Sequence, residues 1–262
     1  MMRAYTVDAF TQTMFHGNPT GVVLVDEPLD GGWMQSVAAE FNHPATAFVD
    51  NSAPDTRAKR LRWFSPSTEL TLCGSGTLAA AHILGGDQVF QTCSGPLRCA
   101  IGLDGAVSMR FPADPVHPEP VSTDLLEGLP GVTVRSVWRG RLDVLVEAGC
   151  AAEVRRLRPN PLAINKVGAR AVIVTAAGDG EADIVSRVFA PSAGIAEDPV
   201  TGSAHCALAG WWSQRLKVSE LLAEQASERG GLLRIRVDGD CVILSGHAVT
   251  VWRGELQAGS WR

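Results

Sequence analysis

The chain has 262 residues, enough for one large or two modest domains with a full core. With 45% hydrophobic and 19% charged residues and a formal charge of −5, it has ordinary globular composition; disorder is excluded, and so is the basic surface that a nucleic-acid partner needs. No apolar run reaches the roughly 18 residues that span a bilayer, and the opening MMRAYTVDAF reads as a strand rather than an export signal, so a cytoplasmic protein with no membrane or nucleic-acid partner is expected.

In chain order, strands are predicted over Arg3–Ala9 and Gly21–Val25, a helix over Gly32–Phe41, and strands over Thr46–Val49 and Leu61–Phe64. A second helix, Ser75–Leu84, has almost no charge, as a buried central helix should, and Gly85-Gly86 closes it. Strands follow over Ala106–Phe111 and Val132–Trp138, then a short helix, Pro161–Ile164, and strands over Ala171–Thr175 and Asp183–Phe189. Helices are predicted over Ser203–Leu216 and Ser219–Ala226, and strands over Leu233–Val237, Val242–Ser245 and Ala248–Trp252. Asp104-Gly105 and Asp238-Gly239 carry hairpin signals. Strands outnumber helices, which points to an α+β fold.

The chain also repeats itself. RWFSPS (Arg62–Ser67) matches RVFAPS (Arg187–Ser192) at four of six positions, and CGSGTLAAA (Cys73–Ala81) shares Gly, Ser and two Ala in register with TGSAHCALA (Thr201–Ala209). Each copy reads strand, turn, loop, Gly-Ser, helix, with the second loop three residues longer. A single repeat of half the chain is a duplication, not a solenoid. Two pseudo-symmetric halves are expected, residues 1–115 and 116–262, each a mixed sheet wrapped around a central helix, with the proline-rich Asp114–Asp124 as linker.

Helix starts offer unpaired backbone N–H groups and a positive dipole end, which favour carboxylates and thiolates. The polar side chains at the two predicted starts are Glu69, Cys73 and Ser75 in the first half, and Glu197, Asp198, Thr201, Ser203 and His205 in the second. If such starts converge, they suit a small carboxylate substrate held between two proton-handling groups. Asp198 before Pro199 also reads as a helix cap followed by an N1 proline, and Cys73 as a packing residue. Gly17-Asn18-Pro19 reads as a turn that could cradle an anion. The six cysteines (Cys73, Cys93, Cys99, Cys150, Cys206, Cys241) form no CxxC pair and match no zinc spacing, so reduced thiols and no metal are expected. Cys73–Thr77 is too short for a phosphate loop and lacks the lysine, and the GxGxxG of a dinucleotide site is incomplete.

HGNPTGVVLV, FNHPATAFV, RWFSPSTELTLCGSGTLAAA, GIAEDPVTGSAHCALAGWW and QASERGG together resemble the phenazine-biosynthesis PhzF-like family, of the diaminopimelate epimerase-like fold, over nearly the whole chain. The resemblance implies two pseudo-symmetric halves with the site between them, cofactor-free proton transfer on a small acid, and a homodimer. By position it assigns Asp198, Ser203 and Glu69 to catalysis, beside Cys73, where epimerases of this superfold carry a thiol; Asn18, Gly74, Ser75, Thr201, Gly202 and His205 complete the expected substrate contacts. There are two departures from the family pattern: its glutamate falls on Ala45 and its histidine on Ser75. The second thiol of the racemases falls on Thr201, which argues against a symmetric two-thiol racemase. The leading expectation is an isomerase that moves a double bond in a small unsaturated amino or cyclic acid, in an antibiotic pathway. The alternatives are an epimerase, racemase or dehydratase using Cys73, and a degenerate member that only binds a small molecule.

Overall fold

A computed structural model describes residues 2–27, 30–52 and 58–257. The chain divides into two units, one made of the residues up to Arg110 together with those from Ser245 onward, the other of Phe111–Leu244. The expected halves met five residues later and left the C-terminal strand in the second half. That strand belongs to the first unit, because it pairs antiparallel along all of the N-terminal strand, from Met2↔Leu256 to Ala9↔Ala248.

In the first unit the elements are β1 (Met2–Ala9), β2 (Asn18–Val25), α1 (Gly31–Phe41), β3 (Ala45–Asp50), β4 (Lys59–Phe64), β5 (Glu69–Leu70), α2 (Gly74–Leu84), β6 (Gln88–Thr92), β7 (Gly95–Ile101) and β8 (Val107–Pro112). The second unit carries β9 (His117–Pro118), α3 (Thr123–Gly128), β10 (Ser136–Arg139), β11 (Asp143–Glu147), α4 (Ala151–Arg156), α5 (Pro161–Ile164), β12 (Ala171–Ala177), β13 (Ile184–Ala190), β14 (Ile195–Asp198), α6 (Gly202–Leu216), β15 (Glu220–Gln225), β16 (Leu232–Asp238) and β17 (Cys241–Gly246). β18 (Ala248–Leu256) follows and belongs to the first unit.

The fold is α+β, as expected, and the duplication is visible in the pairing. β4 and β6 run parallel on either side of α2, and β13 and β15 run parallel on either side of α6. Likewise β2 and β3 are parallel across α1, and β11 and β12 are parallel across α4 and α5. In the first unit Met2, Ala4, Val23, Val25, Met34, Phe48 and Phe64 close one apolar cluster. In the second, Leu125, Val146, Val154, Ile164, Val174 and Phe189 close another under α3, α4 and α5.

α2 is buried from Gly74 through Ala81, which accounts for its lack of charge. Gly76 is required there, since a Cβ would stand 2.5 Å from Trp63 Cδ1. The predicted helix over Ser219–Ala226 is instead strand β15. ELLAEQ consists of good helix formers, but Leu221, Ala223 and Gln225 alternate inward while β13 and β16 pair on its two sides, and tertiary pairing overrides propensity. The hairpin read at Asp104-Gly105 joins β7 and β8, while sequence reading missed β5, β6, β11 and β14 and helices α3 and α4. The segment read as a linker holds β9 and the Ser122 cap of α3. Among the described residues no helix is long and apolar enough to cross a membrane.

Candidate active site

The two repeat copies build the same scaffold in their own units. Arg62 in β4 donates from Nε and Nη2 to both Glu69 oxygens, at 2.7 and 2.8 Å, and its guanidinium lies 5.1 Å from the Phe64 ring centre. Arg187 in β13 does the same to Glu197, also at 2.7 and 2.8 Å, and lies 5.1 Å from the Phe189 ring centre. In each case the strand turns, sends back a short antiparallel partner bearing the glutamate, and enters the helix. Glu69 thus has both oxygens on Arg62, whose hydrogen bonds hold its carboxyl below the usual carboxylate range.

At the start of α2, Cys73 is the N-cap, and its Sγ accepts from the Gly76 N–H at 3.3 Å. Ser75 Oγ lies 3.4 Å from that sulfur, and Thr77 Oγ1 donates to the Cys73 carbonyl at 2.7 Å. At the start of α6, Thr201 is the N-cap, so Asp198 is not the cap that Asp-Pro suggested; it ends β14. The Thr201 hydroxyl makes no cap bond and donates to Asp198 Oδ2 at 2.6 Å. His205 occupies the position of Thr77, and its Nδ1 bonds the Thr201 carbonyl at 2.7 Å. A carbonyl only accepts, so Nδ1 carries the proton. Nε2 is buried with no partner among the described residues, and burial, opposed by the Thr201 carbonyl, pushes the ring pKa down to about 4. The ring is fully enclosed.

Ser203 Oγ accepts from Arg170 Nη2 at 3.0 Å, and Arg170 also grips the buried Asp143 carboxylate. Burial works against the Arg170 charge, but the bonds and charge of Asp143 outweigh it and hold its pKa above the ordinary value. Because Arg170 fills an acceptor site on Ser203, the serine proton is left to point elsewhere. Gln225, at the end of β15 and fully buried, bonds Asp198 and Thr201 together. Ser227 Oγ donates to the Pro199 carbonyl at 2.8 Å.

The second unit therefore gathers Asp198, Thr201, Gly202, Ser203 and His205, and the first gathers Glu69, Cys73, Gly74 and Ser75. Asn18 is buried at the first position of β2, after Gly17, whose φ of 67° is left-handed and where a Cβ would stand 2.2 Å from the Ala9 carbonyl oxygen. Ala45 is buried at the first position of β3, opposite Thr20. Sequence reading missed Arg170 and Asp143 altogether, and it quoted Gln225 within QASERGG without a role; nothing local to those residues marks them. Among the described residues no cluster of three or more His, Cys, Asp or Glu side chains is arranged to hold a metal.

Residues 7–254 match the family model PhzC-PhzF, described as phenazine biosynthesis-like protein. An uncharacterized isomerase of Halalkalibacterium halodurans is 42% identical, covering 96% of this chain and 97% of that one. An uncharacterized isomerase of Pseudomonas aeruginosa is 44% identical, covering 97% of each. Among solved structures, a PhzF-family phenazine biosynthesis protein of Enterococcus faecalis superposes with a TM-score of 0.91 at 34% identity, covering 98% of this chain and 99% of that one. A hydroxyproline epimerase of Agrobacterium vitis, at 13% identity and a TM-score of 0.65, shares the fold. With its repeated ion-paired scaffold and EDPVTGSAH helix start, the chain belongs to the phenazine biosynthesis-like PhzC-PhzF family.

Proposed function

We propose that the protein is a cofactor-independent isomerase that moves a double bond by proton transfer in a small unsaturated amino or cyclic carboxylic acid. The observation that carries this reading is the Asp198 carboxylate oriented by Thr201 beside the start of α6, next to a serine whose proton is free to point at a ligand. The names of the two bacterial isomerases support the reaction class. In this reading Asp198 takes a proton from carbon. The C–H electron pair moves into the conjugated acid as an enolate-like charge, which the helix start and Ser203 stabilise. A proton is then returned at a different carbon, so the atoms balance and neither oxidant nor reductant enters. Gly202 and Thr201 shape the contact with the substrate, and His205 and Glu69 hold the scaffold.

The test is incubation with unsaturated amino and cyclic acids in deuterated water, followed by NMR. Deuterium incorporation with a shifted double bond is expected, and Asp198→Asn should lower it by about 100-fold or more, in line with general-base contributions. No exchange with any acid of the panel, or undiminished exchange in Asp198→Asn, refutes the reading. A thiol-based epimerase is favoured only by Cys73 at the start of α2; unchanged turnover in Cys73→Ser removes it. A member that only binds is favoured by Ala45, where the family glutamate is absent; tight binding of an acid without exchange would establish it. Placement in an antibiotic pathway and a homodimer belong to the same proposal, and light scattering tests the dimer.

A further inference from the structure

We propose that Gln225 and Thr201 are positioning residues that set the direction of a hydrogen-bond relay ending on Asp198. The Thr201 backbone N–H can only donate, and it meets Gln225 Oε1 at 2.8 Å. That fixes which end of the Gln225 amide is oxygen. The other end, Nε2, therefore donates; it reaches the Asp198 carbonyl at 2.6 Å and Thr201 Oγ1 at 3.3 Å. A hydroxyl that accepts there turns its own hydrogen away, and Asp198 Oδ2, 2.6 Å from Thr201 Oγ1, receives it. An ionised carboxylate has no hydrogen to offer, so the relay has one sense: Gln225 to Thr201 to Asp198.

Two things follow. The relay favours the charged form of Asp198, the form a base needs, because the hydrogen bond is made to the carboxylate. It also holds the carboxylate at a set rotation, since both the Asp198 backbone and one of its side-chain oxygens are tied to the same fully buried amide system. Gln225 lies on β15, which pairs parallel with β13, so the anchor sits in the sheet of the second unit and not on a surface loop. At the equivalent start of α2, Cys73 instead caps its own helix with its sulfur. The duplication thus kept the scaffold and diverged at the N-cap, toward a thiol in one copy and toward a carboxylate relay in the other.

This inference rests on the assignment of Asp198 as the proton-moving group, but its test does not need a substrate. The carboxylate titration of Asp198 is followed by carbon NMR in the whole protein, with the signal assigned by its loss in Asp198→Asn. Thr201→Val keeps the shape and removes the hydroxyl; the Asp198 midpoint should move to higher pH by about one unit, as for loss of a hydrogen bond to a charged form. Thr201→Ser restores the hydroxyl and should return it. Gln225→Glu keeps the acceptor for the Thr201 N–H but sets a second carboxylate beside Asp198, whose repulsion raises the midpoint by itself, so the two Thr201 variants carry the decision. Equal midpoints in wild type and Thr201→Val, or a shift that Thr201→Ser does not reverse, overturn the relay. If the titrations behave as expected but no acid exchanges deuterium, the isomerase reading fails and the relay stands. If exchange occurs with unmoved titrations, the relay fails alone. Should Gln225→Glu fold poorly, the two Thr201 variants still decide.

Discussion

Arg62→Met and Arg187→Met remove the same ion pair from two copies of one scaffold, so burial, together with the carbonyl bonds that Arg187 alone makes, should separate their costs. The bonds are matched at 2.7 and 2.8 Å in both copies. Side-chain exposure is 31% and 41% for Arg62 and Glu69, but 11% and 24% for Arg187 and Glu197. Arg187 Nη1 also donates to the Leu157 carbonyl at 2.7 Å. An exposed pair contributes roughly 0.2–1 kcal/mol, while breaking a buried one costs about 3–5 kcal/mol because the remaining charge is stranded. Glu197 keeps some water, so about 3 kcal/mol is expected for Arg187→Met and under about 1 kcal/mol for Arg62→Met. At roughly 2–4 °C per kcal/mol, the melting temperature should fall by about 6–12 °C in the first variant and about 1–3 °C in the second. Calorimetry measures both, and double-mutant cycles with Glu197→Gln and Glu69→Gln isolate the pair energies. In 1 M salt the Arg62 effect should vanish and the Arg187 effect should largely persist. Equal losses in the two copies would show that burial does not set the worth of these pairs.

Three further outcomes are expected. His205 is held neutral at a pKa of about 4 in the folded chain but takes a proton near 6.5 when unfolded, so the unfolded state binds more protons between these values. Stability should therefore fall as pH drops from about 6.5 to about 4, by on the order of 3 kcal/mol, and His205→Asn should remove most of that slope in urea titrations. Burial pushes the Cys99 and Cys206 thiols up to about 12, whereas Cys93 and Cys150 are exposed. Mass spectrometry after alkylation at pH 8 should find Cys93 and Cys150 labelled first and Cys99 and Cys206 only on unfolding; early labelling of Cys206 would contradict its enclosure. Gly17→Ala should cost about 1–3 kcal/mol or more, because its left-handed φ of 67° and the nearby Ala9 carbonyl both reject a side chain; an unchanged melting temperature would refute this.

The division between what sequence and structure decided follows the range of the interactions. Local signals sufficed for the duplication, for the two buried helices and for the polar groups at their starts, because a repeated Arg-x-Phe strand, a Gly-Ser helix entry and an uncharged Ala-rich run each record their role within a few residues. The family followed from motifs of the same short range. Tertiary pairing decided the rest. ELLAEQ became a strand because β13 and β16 flank it, and β18 joined the first unit because its partner is the first strand of the chain. Arg170 reaches Ser203 from 33 residues away, and Gln225 reaches Thr201 from 24. No periodicity or composition near those residues encodes such contacts; they exist only once sheet pairing has fixed where the strands end, which is why the loop entering α6 was legible in the sequence and its supports were not.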